Sequence, residues 1–403
     1  MPRKLDLRSG TPVWSAYRSP CVPAGRLVRD IKTDVLIVGM GISGAMMAEA
    51  LTRDGLSVAC IDRRGPMEGS TSATTALVQF EIDQPLVKLS RIVGVEAARQ
   101  AWRRSRLAVF NLRGRIAELG IRCSAASTPS LYLAGTVLSA SDLQKEAKAR
   151  RHAGVGASYL TRETLRADFG IDRTGAILSH DNLALDPRKL TSGLLLEALT
   201  RKARFYAPVE AISIEDSRLT VTVATNQGPT IRARHLVLTT GYEILDVVPT
   251  VGHSVVSTWA IATGPQPRKI WPGAAMLWEA SDPYLYIRAT ADGRVICGGE
   301  DEDFVDEQKR NALTPKKATI LAKKLGRIFP HVDTEVEFAW SGSFGSTCTG
   351  LPTIGTLSGH PRVHAVMGYG GNGIVFSQIA SELVSASIAG SYDTDTDLFA
   401  FKT

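Results

Sequence analysis

The sequence predicts an α/β fold built on a parallel sheet, with antiparallel strands beside it. Three observations predict it. A strand–glycine loop–helix–strand unit lies between Asp34 and Asp62, a second glycine loop opens an apolar helix after Gly368, and Ser217–Ala224 alternates as an antiparallel strand does. The 403 residues are 44% hydrophobic and 22% charged, with a net charge of +7. That apolar content excludes a mainly disordered chain, and the lack of a glycine repeat excludes a collagen-like one. The length predicts two or three domains, or one large body with interleaved lobes.

The first element is the apolar, β-branched run Asp34-Val35-Leu36-Ile37-Val38, which reads as a buried parallel strand. It runs into Gly39-Met40-Gly41-Ile42-Ser43-Gly44 and then a helical stretch closed by Asp54-Gly55. Ser57–Ile61 is the next strand, ending at Asp62. This is a complete Rossmann-like dinucleotide fingerprint. Gly39 permits the tight turn, Gly41 lets the backbone approach a pyrophosphate, and Gly44 lets helix pack on strand. The helix N-terminus offers free N–H groups and the positive end of its dipole to the phosphates. Asp62 sits where a carboxylate accepts hydrogen bonds from adenosine ribose hydroxyls. It disfavours a 2′-phosphate, although Arg63 and Arg64 follow. Both NAD and FAD satisfy this unit.

Downstream, Gly69-Ser70-Thr71-Ser72-Ala73-Thr74-Thr75-Ala76 is a small, hydroxyl-rich stretch that would let a loop lie close to a pyrophosphate or flavin ring. His235–Leu238 reads as an apolar strand ending in the small turn Thr239-Thr240-Gly241. Late in the chain, Gly368–Gly373 leads into an apolar helix from Val375 to about Ile388. Its backbone N–H groups would stabilise negative charge developing on a reduced flavin.

These pieces in this order resemble the D-amino-acid oxidase, glycine oxidase and sarcosine oxidase superfamily of FAD-dependent oxidoreductases. The matching residues are Gly39–Gly44 with Asp62, Gly69–Thr75, Thr239-Thr240-Gly241, Gly350–Gly355 and Gly368–Gly373, with Leu185-Asp186-Pro187 as a connector. The resemblance covers roughly residues 33–395. It implies a Rossmann-like FAD-binding domain of glutathione-reductase type, assembled from 1–95, 183–245 and 341–403. An interleaved α+β substrate domain with a mostly antiparallel sheet takes 96–182 and 246–340. It assigns to FAD the residues Gly39, Gly41, Ile42, Ser43, Gly44, Asp62 and Arg63, then Ser70, Thr71, Ser72, Thr75 and Val209. Thr240, Gly241, Gly370, Gly371, Asn372, Gly373 and Ile374 complete that set. The implied reaction is hydride transfer to flavin N5 from a carbon bearing an amine, giving an imine that hydrolyses. Oxygen or another acceptor reoxidises the flavin. The alternatives are an FAD-dependent hydroxy-acid dehydrogenase, or a flavin-binding subunit of a larger dehydrogenase complex.

Departures from the family sharpen these expectations. Relatives with covalent flavin use a His shortly after the Gly-Ser-Thr stretch or a Cys before the late Leu-Pro segment. Here those positions are Ala73 and about Gly342, with Cys348 some six residues too late, so FAD is expected to be non-covalent. Glycine-oxidase-like members place a carboxylate-gripping Arg in the strand that is Trp340–Ser346 here, where Phe344 takes its place. Thr349 stands where relatives commonly carry Asp. In Tyr284-Leu285-Tyr286-Ile287-Arg288 the alternation puts Tyr284, Tyr286 and Arg288 on one face. Tyr286 is therefore expected in the substrate pocket, and Arg288 as a substitute carboxylate anchor. Gln79 or Glu81 is expected to hydrogen-bond a substrate amine, Glu81 having a surface role as its alternative. His253 and Trp259 are expected in the core.

Nothing in the sequence groups a metal site or a hydrolytic triad, and the five cysteines form no pair pattern. Unpaired thiols, no signal-peptide-like start and no run of roughly 20 apolar residues predict a cytoplasmic protein with no membrane span. The basic stretches Ala101–Arg106 and Ala147–His152 read as solvated helix faces, so no nucleic-acid partner is expected. The oligomeric state stays open.

Overall fold

The computed structural model describes residues 4–401, and these form two sheets. The first runs in the order Thr353–Leu357, His360–Met367, Thr230–Leu238, Ile31–Val38, Val58–Ile61, Arg204–Tyr206. Along this order all neighbours are parallel except the edge pair Thr353–Leu357 and His360–Met367, and two further strands, Val221–Thr225 and Ala211–Asp216, branch antiparallel from Thr230–Leu238. Val35, Leu36 and Ile37 are fully buried, as a strand covered on both faces requires. Helices Ile42–Arg53, Pro187–Thr200 and Gly373–Ile388 cover one face, burying Met46, Met47, Leu194, Leu195, Phe376 and Ile379 in one core. Asp186 caps the second of these, accepting from the backbone N–H of Arg188 and Lys189 at 2.9 and 3.1 Å.

Register decides where the site lies. Val38 pairs with both Leu238 and Ile61, and Leu238 pairs with Ala365. The loops that follow these four strands therefore emerge together at the carboxyl edge of the sheet, where open α/β sheets bind their ligands.

The second sheet runs Arg8–Gly10, Val336–Thr347, His253–Thr263, Val295–Glu302, Leu285–Ala289, Met276–Glu279, Ala126–Leu133, Gly175–Ala184, Leu77–Val78, with Ser158–Thr161 branching from Gly175–Ala184. It is antiparallel except where Met276–Glu279 meets Ala126–Leu133. Strand Val336–Thr347 crosses the boundary expected at 341 without a break. The cross-strand partners of Trp278 are Tyr132 and Tyr286, which sets a row of aromatic rings across the sheet.

Two local expectations need correction. Ser217–Ala224 is not one strand. Ser217–Thr220 forms the turn of a hairpin between Ala211–Asp216 and Val221–Thr225, because the Ser217 hydroxyl accepts from Thr220 N–H at 3.1 Å. The antiparallel pieces beside the parallel sheet are this hairpin. Nor is the Ala147–His152 stretch wholly solvated. Arg150 is fully buried, paired with Glu146 at 2.8 Å and stacked over Trp102 and Tyr132. Arg104, in the other basic stretch, is ion-paired to Glu382 and Asp393.

Candidate cofactor and substrate site

Two cavities lie along the carboxyl edge, of about 750 and 1250 Å³. Their walls share Gly41, Ser70, Thr71, Thr239 and Gly241, so they form one cleft that runs from the first glycine loop to the large sheet. Gly39, Asp62, Arg63, Val209 and Thr240 line the first part. Ile42, Ser43, Thr75, Gln79, Tyr286 and the loop Gly370–Ile374 line the second.

The glycine loop is built as expected. Gly39 has φ +110°, and a β-carbon there would lie 2.4 Å from the Thr239 carbonyl oxygen. A β-carbon on Gly44 would lie 1.9 Å from the Gly39 carbonyl oxygen, so Gly44 serves packing rather than the cleft wall. Gly41 is the N-cap of helix Ile42–Arg53 and makes no side-chain cap. Thr71 Oγ1 accepts from Ile42 N–H at 3.0 Å and ties the hydroxyl-rich loop to the helix start.

Asp62 does more than face the cleft. Its carboxylate accepts from the backbone N–H of Met40, Arg64 and Gly65 at 2.8–3.0 Å, fixing the glycine loop to the end of the second strand. Val209 N–H is engaged by the Asp62 carbonyl at 2.8 Å. Arg64 binds Glu243 through two nitrogens at 2.6 and 2.7 Å, and Arg63 joins the same carboxylate. Burial opposes the charge on Glu243, but these guanidiniums and the Leu5 N–H hold its carboxyl below the usual range. Both cations beside Asp62 are thus ion-paired, Arg64 to Glu243 and Arg63 to Glu243 and Glu210, carboxylates the sequence reading had not singled out.

The late glycine loop differs from its expected role in part. Gly370 N–H donates to the Gly345 carbonyl and Gly371 N–H to Asp83 Oδ2, both at 2.8 Å. These two amides are engaged within the protein. The first-turn amides of helix Gly373–Ile388 have no intrahelical acceptor, and Gly373 and Ile374 line the cleft. Asn372 Nδ2 donates to the carbonyls of Gln79 and Glu81, which locks this loop to the segment leading to Asp83.

Besides Gly44, two candidate residues lie elsewhere. Ser72 turns away and donates to the Met67 carbonyl at 2.8 Å. Arg288 lines no part of the cleft. Its guanidinium donates to the carbonyls of Ala76 at 2.5 Å, Leu185 at 3.0 Å and Thr75 at 3.3 Å, and burial lowers its pKa to about 10. With Trp340 on the Ala73 carbonyl and Trp14 on the Thr74 carbonyl, Arg288 fixes the course of the hydroxyl-rich loop. It is not a carboxylate anchor in the cleft.

The chamber against the large sheet is aromatic and acidic. Tyr242, Trp278, Tyr284, Tyr286, Phe344 and Tyr369 line it with Thr258 and Asp83, and no Lys, Arg or His does so among the described residues. Gly298 makes room for the Tyr286 ring, since a β-carbon there would lie 2.5 Å from it. Asp83 is exposed at the cleft. The protein crowded around its carboxyl removes hydration and raises its pKa, partly offset by the Gly371 N–H. Asp301 lies behind Tyr284 and Thr258, and burial raises its pKa to about 6. Glu81 is not at the surface: it is 2% exposed and accepts from the Ser130 hydroxyl. Trp259 is in the core, as expected.

Gln79 Nε2 and Asn372 Oδ1 are buried in this wall without a hydrogen-bond partner. Orphaned polar atoms of this kind fit a polar ligand such as the implied FAD or its substrate. Ala73 and Gly342 also meet here: a β-carbon on Gly342 would lie 3.6 Å from that of Ala73. Both covalent-attachment positions thus converge on the chamber and carry no nucleophile, while Cys348 is exposed and lines neither cavity. Asp83, Thr258 and Trp278 escaped the sequence reading. The polar alternation Gln79, Glu81, Asp83 in an apolar run was the available signal for Asp83.

No helix among the described residues is long and apolar enough to cross a membrane. Residues 34–387 match the family model described as FAD dependent oxidoreductase, DAO. Over 399 residues the chain is 26% identical to "Probable oxidoreductase OrdL" of Rhizobium meliloti, spanning 94% of this chain and 87% of that one. Its fold is similar to that of glycine oxidase from Geobacillus kaustophilus, with TM-score 0.74 and 20% identity over 92% of this chain and 98% of that one. It is also similar to L-amino acid deaminase from Proteus vulgaris, with TM-score 0.75 and 17% identity over 95% and 99%. With a family model spanning most of its length and the cleft that such a cofactor needs, the chain belongs to the DAO family of FAD-dependent oxidoreductases.

Proposed function

We propose that this oxidoreductase breaks a C–H bond beside nitrogen in a small amine or amino acid, with FAD held non-covalently. The observation that carries the reading is the unbroken cleft, which joins a dinucleotide loop to an aromatic chamber containing Gln79 and Asp83. Bound FAD supplies the two-electron acceptor. The first-turn amides after Asn372 and the loop Ser70–Thr75 hold the cofactor. Gln79 orients the reacting nitrogen with its free amide, and Tyr284, Tyr286 and Trp278 exclude water around it. The donor loses a hydride from carbon and a proton from nitrogen. Water then adds to the imine and releases a carbonyl compound and an amine or ammonia.

Oxidation of a hydroxy acid is disfavoured by the same wall, since its carboxylate would meet Asp83 with no Lys, Arg or His among the described lining residues to receive it and, unlike an amino acid, with no ammonium of its own to face Asp83. Turnover with a dye acceptor and product analysis tests the reading. The expected result is one carbonyl compound and one amine or ammonia per two electrons. A keto acid formed from hydroxy acids alone would overturn it.

A further inference from the structure

We propose that the substrate is a cationic amine without a carboxylate, its positive charge received by Asp83 and the aromatic walls of the chamber. The inference rests on the proposed amine oxidation and narrows its substrate class. Among the described residues, Asp83 is the one carboxylate lining the chamber and no ion pair reaches it. Its one hydrogen bond among the described residues is accepted from the Gly371 N–H.

The neighbouring charges add to the negative field. Asp83 disfavours the ionisation of Asp301 and acts on Tyr284 in the same sense. The nearby cations are already engaged. Arg150 is paired with Glu146, and Lys317 is held by the Glu300 carbonyl and Glu302, each at 2.8 Å. A substrate carboxylate entering this chamber would lose its hydration against a like charge. A substituted ammonium would find Asp83 and the tyrosine and tryptophan rings that line the chamber, an environment that favours organic cations. Asn372, 4% exposed and with an unpartnered acceptor Oδ1 in the same wall, is the independent sign that this chamber is made for a polar ligand that can donate.

The test uses the FAD-loaded protein and two ligands that are not amine substrates for hydride loss beside a neutral nitrogen, benzyltrimethylammonium and benzoate. Each is titrated while the flavin absorption spectrum is followed. The cation is expected to bind at least about tenfold more tightly than benzoate. Asp83→Asn is expected to weaken the cation by about tenfold or more, and Asp83→Glu to restore it in part. Benzoate binding as tightly as the cation, or Asp83→Asn leaving cation affinity unchanged with FAD content intact, would overturn the inference. If α-amino acids alone bleach the flavin anaerobically, amine oxidation stands and the inference falls. If hydroxy acids alone bleach it, the underlying reading falls as well.

Discussion

The backbone N–H of Gly371 donates to the Asp83 carboxylate at 2.8 Å, joining residues 288 positions apart in the chain. A β-carbon on Gly371 would approach Asp83 Oδ1 to 2.9 Å. Gly371→Ala therefore forces either the carboxylate or the loop to move, with an expected cost of about 1–3 kcal/mol from overpacking. Denaturant midpoints should show this loss, and FAD content should fall with it. Adding Asp83→Ala should recover part of the stability, because the two sites are coupled. Strictly additive effects would contradict the contact.

Arg288 has a positioning role with a readout of its own. Arg288→Leu leaves the buried Ala76 and Leu185 carbonyls without this donor, at about 1–3 kcal/mol each. The variant should unfold at lower denaturant and retain FAD poorly. Arg288→Lys should rescue little, since one ammonium cannot reproduce the guanidinium fork. If Arg288→Leu instead weakened only carboxylate ligands, with stability unchanged, Arg288 would be an anchor after all.

Ala73 and Gly342 provide no nucleophile where they abut the chamber. Acid precipitation should therefore release intact FAD into the supernatant. Yellow colour that stays with the pellet would show a covalent bond and redirect attention to Cys348.

A buried relay sets an acid limit on stability. Arg362 can only donate to His235 Nε2, so His235 Nδ1 carries the proton and donates to His364 Nε2. His364 Nδ1 then donates to Thr356 Oγ1. Both imidazoles are neutral in this chain, and burial lowers their pKa values from 6.5 to about 4 for His235 and about 3 for His364. The folded values lie below the unfolded one. Their stabilisation is thus complete above pH 6.5 and is lost as pH falls through about 4. Urea midpoints should decline over that window, and His364→Asn should flatten the decline. An equal pH slope in both proteins would contradict the assignment.

What the sequence revealed depended on how local each cause is. The glycine loop, Asp62 and the helix after Gly373 were legible because their geometry follows from neighbours a few residues away. The alternation at Tyr284, Tyr286 and Arg288 placed the tyrosines in the chamber. Four residues of strand, at about 3.3 Å each, carried Arg288 past its end to the loop carbonyls. Asp83 was hidden because its partner comes from the far end of the chain. Arg150 was hidden because a basic run conceals a single i, i+4 pair with Glu146 and two aromatic faces from other segments.

Amine oxidation in the aromatic chamber is tested most directly by adding amines, amino acids and hydroxy acids anaerobically to the purified FAD-loaded protein and following the flavin absorbance. The account predicts that a cationic amine bleaches the flavin stoichiometrically. Bleaching by hydroxy acids alone would contradict it.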